Sequence, residues 1–250
     1  MEWTDEALVL GAAKHGESSV IVDLLTRDRG RHRGLVRGGA SSRMRGVMQA
    51  GNRVAVVWRG RLAEHLGTVT VELLDANAAS AMADPERLLA LAALCAVAAG
   101  ALPEREAHPE VFLASLPVIA LLRDDSASLA DVAAALVHWE LGVLGALGYG
   151  LDLSACAVTG QTDALAFVSP RTGRAVSREG AGAYAERLLV LPGFVTGRGP
   201  IDRDDVIAGF DLSGYFLERS VFVPNRQRLP PARMRFVDML ARMAPVHRPG

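Results

Sequence analysis

Cysteine is scarce: Cys95 and Cys156 are the only two in 250 residues. Two isolated thiols exclude a disulfide framework and point to a reducing cytoplasm. Lysine is scarcer still, with Lys14 alone against 26 arginines. Together with abundant alanine, that bias reads as the mark of a GC-rich genome. It cautions against treating each arginine as chosen over lysine for bidentate chemistry. Aromatic residues make up 5% of the chain, so few rings are available to stack on a base. The longest apolar run, Leu88–Leu102, has 15 residues, short of the roughly 20 a membrane span needs. It reads as a buried helix, and Met1–Asp5 carries no secretory signal.

Motifs of enzymes are also missing. There is no Gly-x-Gly-x-x-Gly and no His-x-x-x-His, and Gly197–Arg198–Gly199–Pro200 lacks the lysine and hydroxyl of a phosphate loop. His138 and Glu140 stand two apart, so they do not share a helix face. Asp204–Asp205 suits a helix start without any catalytic role. Cys95, among Ala and Leu, reads as an inert core thiol. No covalent chemistry, cofactor or metal is expected.

What is present is a charge asymmetry. The net charge is −1. Between Arg27 and Arg61, however, stand Arg27, Arg29, Arg31, Arg33, Arg37, Arg43, Arg45, Arg53, Arg59 and Arg61 against one acid, Asp28. That stretch carries +9 in 35 residues, and the remainder of the chain therefore carries −10. One-sided charge of this kind is the footprint of a polyanion site. Arg27, Arg29, Arg31 and Arg33 alternate, so one extended strand would point all four the same way. Arg43 and Arg45 extend the patch in a Gly/Ser-rich loop. Trp58 is the one aromatic in the stretch and is equally a core candidate. Backbone contact with weak sequence preference is expected, rather than base readout.

Periodicity divides the chain. Short runs at Ala7–Leu10, Val20–Leu25, Leu35–Arg37, Arg53–Trp58 and Leu66–Leu73, separated by glycine turns, predict five strands, and a small closed barrel of the OB type is the commonest solution. Val54, Val56 and Trp58 take one face, Arg53, Ala55 and Val57 the other. After Ala76 the pattern is helical. Asp84–Pro85 starts a helix running to about Ala101, and Pro109–Leu122 follows with a break or bend near Pro117. Ser128–Leu147 is capped by Ser128 with Asp131 and ends at Gly148. Tyr149–Ser177 reads as loop with short extended pieces. Arg178–Val190, Arg203–Phe222 and Pro231–Met243 are further helices, with Gly180–Ala181–Gly182 marking a break. The tail Ala244–Gly250 should fray. The expected fold is α+β in two domains: an OB-fold β-barrel over residues 1–78 and an α-helical domain over 79–250.

A second basic group, Arg219, Arg226, Arg228, Arg233 and Arg235, has no acid within its span. Beside Met234, Phe236, Val237 and Leu240 it would suit an acidic peptide with an apolar end, with Arg228, Arg233 and Arg235 as the candidate contacts.

The order of several segments resembles the RecO family of recombination mediators. These are Ala7–Leu10, Gly16–Glu17–Ser18–Ser19, Thr26–Arg31, Gly38–Gly39–Ala40 with Ser41–Ser42–Arg43, Gln49, Trp139–Glu140–Leu141 through Leu147–Gly148–Tyr149, and Asp152–Cys156. The resemblance implies an OB-fold followed by helices. It implies binding of single- and double-stranded DNA, annealing of complementary strands, and help in loading RecA. It implies RecR and the acidic C-terminal tail of single-strand-binding protein as partners, RecA indirectly, a place in the cytoplasm near the nucleoid, and no membrane. Many relatives carry four cysteines as a zinc module after the Leu-Gly-Tyr segment. Here Cys156 remains, while Thr159, Ser177 and Gly180 take the other three positions. One thiolate with Thr, Ser and Gly cannot supply a tetrahedral zinc site. Residues 149–180 are therefore expected to be a degenerate, metal-free segment held by packing of Leu165, Phe167 and Val168. Two other readings remain: an RNA-binding barrel protein, since a basic barrel does not separate RNA from DNA, and an enzyme with a pocket in the helical domain.

Overall fold

The computed structural model describes residues 1–62, 64–199 and 201–243; the tail expected to fray lies outside the described residues. By contacts the chain divides into two units, Met1–Ser126 and Ala127–Gly250.

The first unit is built on five strands: β1 (Glu2–His15), β2 (Ser19–Thr26), β3 (Gly30–Val36), β4 (Arg53–Arg59) and β5 (Thr68–Asp75). They close into a barrel in the order β1-β2-β3-β5-β4. Closure depends on β1, which is long enough to serve two partners. Residues 2–8 pair with β4, and residues 7–15 pair with β2 across a register shift between Val9 and Gly11. An extra residue of this kind bends a strand and sharpens its twist, as a small barrel requires. The last seam is thin, with Leu35 and Thr68 the one paired position between β3 and β5. Inside lie Ala7, Val9, Val22, Leu24, Val54, Val56 and Trp58, each at most 1% exposed. The alternation anticipated on β4 is present, with Trp58 in the core.

Two segments differ from expectation. β3 begins at Gly30, not Leu35, because residues 30–36 pair with β2 throughout, and the backbone N–H of Arg105 also donates to the Arg31 carbonyl at 2.8 Å. The loop carrying Arg105 crosses so close to Gly30 that a Cβ there would lie 1.8 Å from the Glu106 carbonyl oxygen. Glycine is required at that point for space as well as for its φ of +71°. The second difference is the Gly/Ser-rich segment, which forms a short helix, α1 (Ser42–Val47), with the Ser41 hydroxyl accepting from the Met44 N–H.

Three helices complete this unit: α2 (Asn77–Ala81), α3 (Pro85–Ala101) and α4 (Pro109–Arg123). Asp84 caps α3 through the N–H groups of Glu86 and Arg87, and Pro85 takes the first helical position. The Cys95 thiol of α3 donates to the Val9 carbonyl of β1 at 3.7 Å, and burial pushes that thiol up to about 12. The change from strand to helix near residue 78 thus precedes the division by contacts, since α3 packs on β1. α4 runs through Pro117 without interruption.

The second unit starts with α5 (Leu129–Ala146), whose Ser128/Asp131 capping box is complete. Its 18 residues have a mean hydropathy of 1.4, long and apolar enough to cross a membrane by length and composition, but half of the helix is buried in protein. Glu140 at its centre is fully buried. Arg233 Nε donates to its Oε1 at 2.7 Å, Arg233 Nη2 to its Oε2 at 2.9 Å, and the Ser213 hydroxyl to Oε2 at 2.5 Å. This network joins α5 to α7 (Arg203–Phe216) and α8 (Pro231–Arg242). Between α5 and α7 runs a small sheet of β6 (Leu165–Val168), β7 (Ala175–Ser177) and β8 (Leu189–Val190), ordered β7-β6-β8. The helix expected over Arg178–Val190 is corrected to the short α6 (Arg178–Ala181) and a 3-10 turn. The chain bends at Gly182, φ +45°, before Leu189 pairs with Val168. A π-helical turn, Leu217–Phe222, continues α7.

A buried, fully bonded ion pair resists removal of one partner far more than removal of both. Glu140→Ala should cost about 3–5 kcal/mol by urea unfolding, whereas Glu140→Leu with Arg233→Met should recover most of that loss. Equal destabilisation by the single and double changes would show that Glu140 is held by something other than Arg233.

Candidate nucleic-acid interface

The ten arginines between residues 27 and 61 separate into two groups. Five face carboxylates. Arg31 grips Asp23 through Nε and Nη2, at 3.0 and 2.6 Å, and donates Nη1 to the Leu102 carbonyl. Arg53 bridges Glu6 and Asp75 at 3.0 and 2.9 Å. Arg59 holds Glu2 at 2.9 Å, which keeps that carboxyl below its usual range. Arg33 lies 3.9 Å from Glu104, and Arg27 lies 3.6 Å from Asp28. The other five are Arg29, Arg37, Arg43, Arg45 and Arg61. All are exposed, and no carboxylate among the described residues lies within ion-pair distance of them.

The alternating row anticipated over Arg27–Arg33 is corrected. Arg27 and Arg29 sit in the tight β2–β3 turn, and Arg31 and Arg33 alone share a strand face. Arg31 and Arg53 are structural cations: each is less than a third exposed on its side chain and is matched to acids on neighbouring strands. Cross-strand pairing of this sort offsets like-charge repulsion on a sheet.

Around α1 the free cations gather. A cleft of about 570 Å³ is lined by Lys14, Glu17, Val20, Arg45 and Met48. On another side of the helix a cleft of about 720 Å³ is lined by Arg43, Met44, Asn52, Glu72 and Met82. A third, of about 400 Å³, brings Arg37 beside Thr68, Thr70 and Met44. Arg43 and Arg45 thus stand on the short helix and Arg37 lies in a cleft beside its Met44, in surroundings of mixed polarity.

In the second unit, Arg228 and Arg235 are exposed. Arg233 is not available to a docked peptide: it is 3% exposed and committed to Glu140, Ser213 and the Phe210 carbonyl. Its place in the run of basic residues concealed that it faces inward with Phe236 and Leu240.

The positions expected to replace zinc ligands converge. The Cys156 sulfur accepts from the Thr159 N–H at 3.4 Å, the Ser177 N–H at 3.2 Å and the Ser177 hydroxyl at 3.3 Å. A Cβ on Gly180 would lie 2.9 Å from the same sulfur. The donors suit a lone thiolate rather than a metal ion, which needs four ligands. Among the described residues no group of three or more His, Cys, Asp or Glu is placed to hold one. Burial pushes the Cys156 thiol up, but the hydrogen bonds from Ser177 and Thr159 outweigh it and bring it down to about 6. Val176, Ala181, Leu165 and Phe167 pack around the sulfur.

Residues 1–77 match the family model described as Recombination protein O N terminal, and residues 82–229 match Recombination protein O C terminal. A DNA repair protein RecO of Rhodospirillum centenum is 49% identical over 240 residues, 95% of this chain and 94% of the relative. One of Rhodospirillum rubrum is 46% identical over 251 residues, 99% of this chain and 100% of the relative. One of Gluconacetobacter diazotrophicus is 48% identical over 251 residues, 98% of this chain and 97% of the relative.

Two measurements check the assignment of charges. Arg31→Ala leaves Asp23 without its cation and should lower stability by about 1.5–3 kcal/mol. Arg43→Ala should change it by no more than about 0.5 kcal/mol. Thermal melts that rank the two the other way would reverse their roles. A thiol with a depressed folded value stabilises the folded chain most above its ordinary value, 9.0, and loses that contribution as pH falls through about 6. Ultraviolet thiolate absorbance of the folded chain should therefore rise near pH 6, with Cys95 silent. A first rise near 9 would show that the three donors do not hold a thiolate.

Proposed function

The chain belongs to the RecO family of DNA repair proteins, and from that premise we propose that it is a recombination mediator whose basic barrel binds single- and double-stranded DNA and anneals complementary strands. The strand order β1-β2-β3-β5-β4 supports reading the barrel as an OB-fold, and the Cys156 cluster supports reading residues 149–180 as a degenerate zinc module that works without metal.

The observation that carries the reading is the split among the arginines. Arg29, Arg37, Arg43, Arg45 and Arg61 remain exposed, with no carboxylate partner among the described residues, on a barrel whose other arginines meet carboxylates. Unmatched surface cations bind phosphates and release condensed counterions, with little regard for sequence. The action is physical. Cations set between two phosphate chains reduce their repulsion, so that complementary strands approach closely enough to pair. No nucleotide is hydrolysed in this scheme. RecR and the acidic tail of single-strand-binding protein are the proposed partners, the tail meeting Arg228 and Arg235. Through them the barrel reaches coated single strands in the cytoplasm and assists RecA loading.

Fluorescence anisotropy of a labelled single-stranded oligomer across a salt series tests this. With five or six phosphates neutralised, log affinity should fall against log salt with a slope of roughly −4. Arg43→Glu with Arg45→Glu should weaken binding and flatten the slope by about 1.4. A slope near zero, or one untouched by the double change, would remove the barrel from DNA binding. A matched RNA oligomer bound more tightly than DNA would favour an RNA-handling role.

A further inference from the structure

Trp3 and Trp58 stand opposite each other on β1 and β4. Their rings stack, with centroids 5.7 Å apart and planes 9° from parallel. Trp58 is immobilised in the barrel core at 1% exposure, and its Nε1 donates to the Leu66 carbonyl at 3.1 Å. Trp3 is only partly buried against that core. Trp58 stacks on its ring, and the Arg29 guanidinium also lies over that ring, 5.8 Å from the centroid. Arg29 is one of the unmatched cations and is itself exposed.

A third ring meets the pair. His32 lies edge-on to Trp3, with centroids 5.0 Å apart at 74°. His32 is 8% exposed, and its Nδ1 is buried without a hydrogen-bond partner. Burial holds the His32 imidazole below its ordinary value, against hydrogen bonding to the Gly30 and Arg29 backbone, which raises it.

We propose that Trp3 is a nucleobase platform: an unstacked base of a single strand takes the place of Arg29 on the outer face of Trp3, and Arg29 turns to the neighbouring phosphate. This rests on the DNA-binding reading above and deepens it. A rigid ring already stacked on one side presents its free face at little conformational cost, and any base can use it because every base has a π-face. A base inside a duplex has both faces occupied and cannot dock. The platform therefore favours single strands, while the cations around α1 treat both forms alike.

The test uses the full chain with an oligothymidine and an abasic oligomer of the same length. The wild type should bind the oligothymidine about 5- to 150-fold more tightly, the range expected for stacking one base. Trp3→Ala should erase that preference and leave abasic affinity unchanged. Because Trp3 packs on Trp58, a Trp3→Ala chain that fails to fold is replaced by Trp3→Phe, which keeps a ring but removes the reporter. Oligothymidine should quench tryptophan fluorescence in the wild type and not in Trp3→Phe. Equal affinity for the two oligomers in the wild type, or quenching that survives Trp3→Phe, overturns the platform while the electrostatic reading stands. Failure of both oligomers to bind at low salt overturns the electrostatic reading, and the platform with it.

Discussion

Like-charge repulsion is the constraint around which the barrel is arranged. Ten arginines fall within 35 residues, and closing five short strands brings them together. Acids from outside that stretch oppose them. Glu2 and Glu6 come from β1, Asp23 from β2, Asp75 from β5 and Glu104 from the loop before α4. That loop also supplies the Arg105 N–H to the open edge of β3, so a helical connection completes both the hydrogen bonding and the charge balance of a strand. The α3–α4 segment is therefore part of the barrel's support as well as its neighbour.

Neutralisation is selective. The cations on strands β3 and β4 meet acids, and so does Arg27 in the β2–β3 turn; Arg29, Arg37, Arg43, Arg45 and Arg61, in turns and on α1, meet none among the described residues. A polyanion docking at those positions would meet cations that need not first be taken from a carboxylate. Over Trp3 lies the exposed Arg29, which no carboxylate among the described residues holds.

The second unit handles buried charge in the opposite way, by complete satisfaction. Glu140 accepts from both Arg233 and Ser213, and Arg233 also reaches the Phe210 carbonyl. Cys156 gathers three donors from Thr159 and Ser177. Each is a polar centre around which separate pieces of chain are held, and in each case removing one member strands the others.

Much of this was legible in the linear pattern. Alternation at Val54, Val56 and Trp58 marked the inner face of β4, and Asp84–Pro85 and Ser128/Asp131 marked two helix starts, because those signals are local and short-ranged. The one-sided charge of Arg27–Arg61 was legible too, but not that five of its ten arginines face carboxylates. Trp3 and His32 escaped notice because nothing within a few residues of either announces the other; strand pairing joins Trp3 to Trp58, and barrel closure brings in His32. Arg233 was misplaced for the same reason, since its partner stands 93 residues away on α5. The sequence by itself determined the strand or helix character of the barrel and of the long helices, and the sign of charge of Arg27–Arg61, all properties of neighbouring residues or of sums. Which arginines are matched, which ring faces solvent and which cysteine becomes a thiolate were decided by tertiary structure alone, because each depends on distances of a few ångströms between residues far apart in the chain.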